Sequence, residues 1–138
     1  MTALVLDASI TLCWCFDEEA TEATQRLLER LLHESAAVPA VWHLEVANVL
    51  ALAERRRRIT LADTAEFLEL LATLMIDLDD ETCTRAFGRA LDLARSERLT
   101  AYDAAYLELA MRLGVPLATK DGPLGDAARR LGVNVLGA

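Results

Sequence analysis

Short apolar runs alternate with longer amphipathic stretches along this chain. The first run, residues 3–6, ends in Asp7, which is typical of a buried first strand. Four more short runs predict further strands, and between them apolar residues recur at helical spacing. The predicted strands span residues 3–6, 36–38, 75–78, 115–119 and 133–136. The predicted helices span residues 10–16, 18–34, 41–58, 60 to about 74, 81–98, 100–114 and 124–131.

Helix-end signals support this division. Thr60 precedes Asp63 by three residues, which is the pattern of a capping box, and Gly114 closes the helix that Thr100 opens. Strands alternating with helices predict an α/β fold with a mostly parallel sheet covered on both faces. The length of 138 residues and the 54% hydrophobic content fit a single domain over residues 1–138 and exclude two.

Composition narrows the function classes. The N-terminus has neither the basic nor the long apolar region of a secretory signal, and polar residues interrupt the most membrane-like stretch, residues 36–53. We therefore expect a cytoplasmic protein with no membrane association. The net charge of −8 speaks against broad nucleic-acid binding through a basic face. A carboxylate cluster that binds divalent cations would reverse its local field and could then hold phosphate.

Cysteine and histidine do not predict a zinc site. Cys13, Cys15 and Cys83 lack paired ligand spacing, and we expect them to be small buried hydrophobic residues. His33 and His43 supply no convincing zinc set, and we expect surface or partly packed positions for both.

Four acids can reach the carboxyl edge of the predicted sheet, where function usually gathers in parallel α/β folds. Asp7 ends the first strand, Glu45 lies early in the helix after Pro39, Asp103 lies in the first turn after Thr100, and Asp121 follows the fourth strand. Each also has a structural explanation: Asp7 as an N-cap, Asp103 in a capping box and Asp121 as a turn residue. Glu45 resists such an explanation because apolar residues surround it, which predicts partial burial.

Four neighbouring carboxylates would repel one another. At an effective dielectric near 20, two charges about 4 Å apart repel by roughly 4 kcal/mol. Either several of them are protonated, or a divalent ion lies among them. Oxygen ligands favour Mg²⁺, with Mn²⁺ as a substitute, over zinc.

Four fragments in order resemble the PIN-domain ribonucleases, and among them the VapC toxins of type II toxin–antitoxin pairs. They are residues 5–9 (VLDAS), 45–50 (EVANVL), 99–107 (LTAYDAAYL) and 117–121 (LATKD) with Leu124 after them. The resemblance covers nearly the whole chain. It implies a PIN-like three-layer α/β/α sandwich with a small, mostly parallel central sheet.

The resemblance also implies which residues act. Asp7, Glu45, Asp103 and Asp121 would be the catalytic acids and the ligands of Mg²⁺, with Ser9 and Thr119 close to them. Metal-activated water would hydrolyse RNA without a covalent intermediate. Asn48 shares the helix face of Glu45 and would orient the carboxylate or touch substrate, although a core-facing or solvated Asn explains it equally well. Lys120 precedes Asp121 in the sequence and could reach a phosphate of the substrate.

The partners follow from the same resemblance. A VapB-like antitoxin would bind apolar helix grooves, and the toxin would form a homodimer. The run of four arginines at residues 55–58 has two interpretations: a solvated complement to a helix C-terminus, or a patch that follows phosphates. Tyr102 and Tyr106 are interpreted first as packing residues.

Three alternatives belong to other classes. A phospho-acceptor signalling domain also uses acids, a metal and a late Thr and Lys, but the spacing around Asp77 does not fit one. A haloacid-dehalogenase-type phosphatase needs a second Asp where this chain has Ser9. A catalytically silent PIN-type binding module stays open. The RNA target, the number of metal ions and the identity of the antitoxin are not predicted.

Overall fold

The computed structural model of the chain describes residues 1–137, so Ala138, the last residue of the predicted domain, lies outside the described residues. Five strands form one sheet in the order β3-β2-β1-β4-β5, and every neighbouring pair is parallel. The strands are β1 (Thr2–Leu6), β2 (Ser35–Val38), β3 (Ile76–Leu78), β4 (Leu117–Ala118) and β5 (Val135–Leu136). This arrangement confirms the predicted parallel α/β fold.

Strand β1 lies at the centre of the sheet. Val5 pairs with Ala37 of β2 on one side and with Leu117 of β4 on the other. Leu4, Val5 and Leu6 are fully buried, as expected for an apolar run covered on both faces. The residue that follows β1 therefore emerges at the middle of the carboxyl edge.

Helices cover the sheet in the expected three-layer α/β/α arrangement. The helix that starts after Thr100 packs against both β1 and β4, so it approaches the centre of the sheet. The helices are α1 (Ala8–Cys13), α2 (Glu22–Leu31), α3 (Trp42–Arg55), α4 (Leu61–Ala72), α5 (Thr82–Arg85), α6 (Leu91–Glu97), α7 (Ala101–Leu113) and α8 (Gly122–Arg130). A 3₁₀ turn at Asp17–Glu19 and a π-helical segment at Ala86–Ala90 complete the regular structure of residues 1–137.

Two predicted helices were too long, for different physical reasons. The helix predicted over 18–34 begins only after Thr21, because Thr21 and Thr24 form a reciprocal capping box and the chain before them makes a 3₁₀ turn. The helix predicted to reach residue 58 ends at Arg55, because Arg57 adopts a left-handed conformation with φ of 57°. The amide of Arg58 then donates to the Ala53 carbonyl at 2.8 Å.

Other predicted boundaries moved less. The helix predicted over 10–16 begins at Ala8 directly after Asp7, and the run over 81–98 is interrupted by the π segment. The capping box of Thr60 and Asp63 is present, and Gly114 ends α7 with φ of 66°.

The cysteine prediction was only partly right. Cys13 is buried, whereas Cys15 is half-buried and Cys83 is exposed. His43 is exposed, as expected. Across residues 1–137, no helix combines the length and the apolar character that a membrane crossing requires.

Candidate active site

Asp7 and Thr119 lie side by side at the carboxyl edge of the sheet. The backbone amide of Asp7 donates to the Ala118 carbonyl at 3.0 Å, which extends the pairing of β1 and β4 by one residue. Asp7 is only 4% exposed, and Thr119 is fully buried. The carboxylate of Asp7 is therefore fixed at the bottom of the site by the sheet itself.

Two hydroxyl groups hold one oxygen of the Asp7 carboxylate. Ser9 Oγ and Thr119 Oγ1 each donate to Oδ2 at 2.7 Å. The backbone amide of Lys120 donates to Ser9 Oγ at 2.9 Å, and that of Asp121 donates to Thr119 Oγ1 at 3.0 Å. Because each hydroxyl accepts from the backbone, its single hydrogen is directed to Asp7. The side-chain donors leave Oδ1 of Asp7 free.

Helix α3 brings Glu45 to the site in its first turn, and the side chain is half-buried, as predicted. Its Oε1 accepts a 2.6 Å hydrogen bond from the phenol of Tyr106, which lies on α7 and is fully buried. The sequence analysis interpreted Tyr106 as a packing residue and missed this contact. The helical spacing of Asp103 and Tyr106, three residues apart on one face, was the available signal.

The capping explanations of the acids hold to different degrees. Asp7 occupies the N-cap of α1, but its carboxylate makes no capping hydrogen bond. Thr100 Oγ1 accepts from the backbone amide of Asp103 at 3.1 Å, while the Asp103 carboxylate does not complete a capping box. Asp121 caps α8, because its Oδ1 accepts from the Leu124 amide at 2.9 Å.

The electrostatics of the site disfavour its negative charges. Burial raises the pKa of Asp7 despite the hydroxyl donors, and burial together with nearby Asp7 and Asp103 raises the pKa of Glu45. Burial, Asp121 and Asp7 raise the pKa of Asp103 to about 6. Asp7, Glu45 and Asp103 therefore each lie close enough to another acid of the site for its charge to oppose their ionisation.

No cation of the chain compensates these charges. Within residues 1–137, none of the four carboxylates has an Arg, Lys or His nitrogen within 4.0 Å. The ligand atoms that the four acids offer to a metal ion are carboxylate oxygens, which is the ligand type that Mg²⁺ and Mn²⁺ prefer. The residues therefore fit a hard divalent cation.

The four acids do not form a closed cage. The described residues contain one group of three acids whose ligand atoms all lie within 4.8 Å of one another. It consists of Asp79, Asp80 and Glu81, which directly follow β3 in the sequence. The wider spacing of Asp7, Glu45, Asp103 and Asp121 fits a cation that keeps several waters, as Mg²⁺ does in proteins.

Two acids of the second group, Asp79 and Glu81, are in contact with a cation of the protein. Arg112 donates to both oxygens of Asp79, at 3.1 and 2.8 Å, and also contacts Glu81 at 3.3 Å and Glu108 at 2.8 Å. These contacts lower the pKa of Asp79. We call Arg112, Asp79, Glu81 and Glu108 the arginine cluster, because each of its three carboxylates contacts the same guanidinium.

The other predicted site residues differ in their contacts with the four acids. Ser9 and Thr119 contact Asp7, as expected. Asn48 is exposed, one turn after Glu45 on α3. Lys120 is exposed and its ammonium points to the Glu19 carbonyl at 3.4 Å, not to a position beside the acids.

The four arginines at residues 55–58 divide into two kinds. Arg55, Arg56 and Arg57 are exposed at the end of α3. Arg58 is held by Glu18 and Glu19, and its guanidinium lies 3.8 Å from the centroid of the Phe16 ring. Arg58 therefore ties the end of α3 to the 3₁₀ turn, which is a structural role that the sequence analysis did not separate from the other three.

The sequence matches the PIN domain over residues 4–129, and the chain belongs to this family. The resemblance drawn from the four sequence fragments is thereby confirmed. The phospho-acceptor and phosphatase alternatives lose their basis, because the PIN domain match spans nearly the whole chain.

A relative of known name shows where this chain belongs within the PIN family. Ribonuclease VapC3 of Pyrobaculum aerophilum is 30% identical over 123 residues, which cover 89% of this chain and 92% of the relative. The chain therefore stands with the VapC-type nucleases of the PIN family.

Solved structures agree on the fold. PAE2754 from Pyrobaculum aerophilum has a TM-score of 0.71 at 21% identity, covering 97% of this chain and 83% of that chain. VapBC2 from Rickettsia felis, bound to a DNA fragment from their promoter, has a TM-score of 0.68 at 14% identity and 97% coverage of both chains. FitAcB from Neisseria gonorrhoeae has a TM-score of 0.67 at 18% identity, covering 97% and 96%.

Proposed function

We propose that this chain is the toxin of a type II toxin–antitoxin pair, a ribonuclease that hydrolyses RNA phosphodiester bonds at the site of Asp7, Glu45, Asp103 and Asp121. The observation that carries the proposal is the convergence of four carboxylates from separate segments with no cation of the described chain beside them. Such a site is stable only when protons or a divalent ion relieve the repulsion.

The four acids are proposed to hold Mg²⁺, or Mn²⁺ as a substitute, some directly and some through water. A divalent ion bound there supplies Lewis-acid polarisation of a phosphoryl oxygen and lowers the pKa of water. Asp7 gives the firmest ligand, because Ser9 and Thr119 fix Oδ2 and leave Oδ1 available. Asp121 is similarly fixed through Oδ1, which caps α8.

Asp103 is proposed to take a proton during the reaction. In the protein without a metal ion, burial, Asp121 and Asp7 raise the pKa of Asp103 to about 6, so its carboxyl holds a proton more readily than an ordinary Asp does. Water that loses its proton to Asp103 attacks the phosphorus in line, the bond from phosphorus to the 3′ oxygen breaks, and that oxygen takes a proton from solvent water. The expected products are a 5′-phosphate and a 3′-hydroxyl, with no covalent intermediate.

The supporting residues have narrower proposed roles. Ser9 and Thr119 orient Asp7, and Asn48 lies on the exposed part of α3 where substrate can reach it. Lys120 is proposed to contact a phosphate only after its side chain leaves the Glu19 carbonyl, because that contact is long and exposed. The exposed Arg55, Arg56 and Arg57 can attract RNA without touching the site.

A VapB-like antitoxin is the proposed regulator. An apolar groove of about 600 Å³ runs between α3 and α4, lined by residues that include Val46, Ala47, Leu50, Leu68 and Leu71. A groove of this kind suits the apolar face of a partner helix. Substitution of Ala47 or Leu68 by Arg is expected to abolish rescue of growth by the antitoxin while RNA cleavage is retained.

Three further features belong to the proposal. The chain acts as one domain over residues 1–138, it works in the cytoplasm where its RNA substrate is, and it forms a homodimer. Phe87, an aromatic side chain that is 93% exposed, is the residue that we propose as a contact of this dimer. Sedimentation of Phe87→Ser beside the wild type tests whether this residue holds the dimer together.

The deciding experiment is cleavage of RNA by purified protein with Mg²⁺ and with EDTA. Asp7→Asn is expected to lose at least about 1000-fold in rate, since a metal site supplies several kcal/mol. Asp126→Asn is the matched control, because it makes the same charge change at an exposed position on α8. Cutting by Asp7→Asn at the wild-type rate would remove the acids from the mechanism. A wild-type protein that binds Mg²⁺ without cutting RNA would identify the silent binding module.

A further inference from the structure

Tyr106 makes a contact that packing alone does not require. Its side chain is fully buried on α7, and its phenol donates a 2.6 Å hydrogen bond to Glu45 Oε1 on α3. The two residues are 61 positions apart, so the bond joins two helices across the site. A hydrogen bond to a carboxylate is shorter and stronger than one between neutral groups.

The same pattern holds the neighbouring acids. Asp7 is held through Oδ2 by two hydroxyls, and Asp121 is held through Oδ1 by a backbone amide. In each case one oxygen is fixed and the other has no side-chain donor. For Glu45 the fixing donor is Tyr106, which leaves Oε2 outside this bond. Glu45 needs such a donor more than the aspartates do, because its longer side chain has more rotamers to lose.

We propose that Tyr106 is a positioning residue of the site: its phenol fixes the Glu45 carboxylate through Oε1 and so presents Oε2 to the divalent cation. This inference rests on the proposed function. Partners of metal-ligating carboxylates commonly change metal affinity by 10- to 100-fold when they are removed.

The test compares Tyr106→Phe with Tyr102→Phe. Both variants remove one phenolic hydroxyl from α7. Tyr102 is 62% exposed, so its variant controls for the loss of a hydroxyl alone. Mn²⁺ binding is measured by calorimetry, and thermal melting is followed with EDTA and with saturating Mn²⁺. Tyr106→Phe is expected to weaken Mn²⁺ binding roughly tenfold, while Tyr102→Phe binds as the wild type does.

Two further measurements separate positioning from a structural role. A structural role would lower the melting temperature of Tyr106→Phe equally with and without Mn²⁺, whereas positioning reduces the increase that Mn²⁺ produces. In RNA cleavage, positioning lowers kcat and leaves KM for RNA unchanged. If Tyr106 acts through Glu45, adding Tyr106→Phe to Glu45→Gln has no further effect on Mn²⁺ affinity.

The outcomes distinguish this inference from the proposed function. If the wild type binds Mn²⁺ and Tyr106→Phe binds it with the same affinity, the positioning role alone is overturned. A tenfold loss in the Glu45→Gln background would overturn it as well, because Tyr106 would then act on another group. A wild-type protein that binds no Mn²⁺ would overturn the proposed function and this inference with it.

Discussion

Two acidic regions of this chain differ in how their charge is balanced. In the arginine cluster, Arg112 contacts Asp79, Glu81 and Glu108, and the pKa of Asp79 is lowered. At the candidate active site, the acids have no such partner within the described residues, and the pKa values of Asp7, Glu45 and Asp103 are raised. Both regions are partly buried, so burial alone does not explain the difference.

The comparison separates an acid cluster that contacts a cation of the protein from the site that we propose binds a divalent cation. Together with Asp80, the arginine cluster presents the tightest group of acidic oxygens in residues 1–137, yet Arg112 lies directly against three of its carboxylates. The acids around Asp7 are more widely spaced and lack a counter-charge. The absence of a protein cation is therefore a better guide to a metal site here than the closeness of the oxygens.

The largest expected effect on stability is at Arg112. Arg112→Gln leaves Asp79 and the buried Glu108 without their cation, so the free energy of unfolding is expected to fall by about 3 kcal/mol. Urea denaturation measures this change. Arg89→Gln, at an exposed arginine, makes the same charge change and is expected to shift stability by less than about 0.5 kcal/mol. Equal losses in the two variants would contradict a structural role for the cluster.

Removal of an acid from the candidate site is expected to act in the opposite direction. In EDTA at pH 7.5, Asp103→Asn removes a charge that burial and two neighbouring acids oppose, so the free energy of unfolding is expected to rise by about 1 kcal/mol. The same urea titration checks it. A loss of stability would mean that the Asp103 carboxylate makes favourable contacts in the metal-free protein.

The pH dependence of that gain has a definite sign. The pKa of Asp103 is raised from 3.8 to about 6, so the folded state binds the proton more tightly, and the wild type loses stability as the pH rises through this window. Below about pH 4 the carboxyl is protonated in both states, and the advantage of Asp103→Asn is expected to disappear. Unfolding at pH 4, 5, 6 and 7.5 tests this. An advantage that is constant over the range would exclude the raised pKa as its cause.

The alternation of strands and helices could be predicted from the sequence because buried strands such as residues 3–6 and their flanking helices have distinct apolar patterns. The four acids could be placed at one edge for a related reason: in a parallel sheet, residues after the strands share that edge. Helix ends were less predictable. The end of α3 depends on the left-handed conformation of Arg57, which a run of four arginines does not signal.

Contacts between distant elements could not be predicted from the sequence. The bond from Tyr106 to Glu45, the pairing of Arg112 with Asp79 and the turn of Lys120 towards Glu19 each depend on how separate segments pack. Residue type suggested packing for Tyr106 and phosphate contact for Lys120. The resemblance to the PIN-domain ribonucleases placed Ser9 and Thr119 near the acids, and Thr119 directly follows β4.

The most direct test of the central claim is the effect of Mg²⁺ on the thermal stability of the wild type and of one variant in each acidic region. At ten times its Kd, Mg²⁺ is expected to stabilise the wild type by about 1.4 kcal/mol, which raises Tm by about 4 °C. Asp7→Asn is expected to lose this increase, while Glu81→Gln in the arginine cluster keeps it. An increase that survives Asp7→Asn and disappears in Glu81→Gln would place the cation in the arginine cluster and contradict the account.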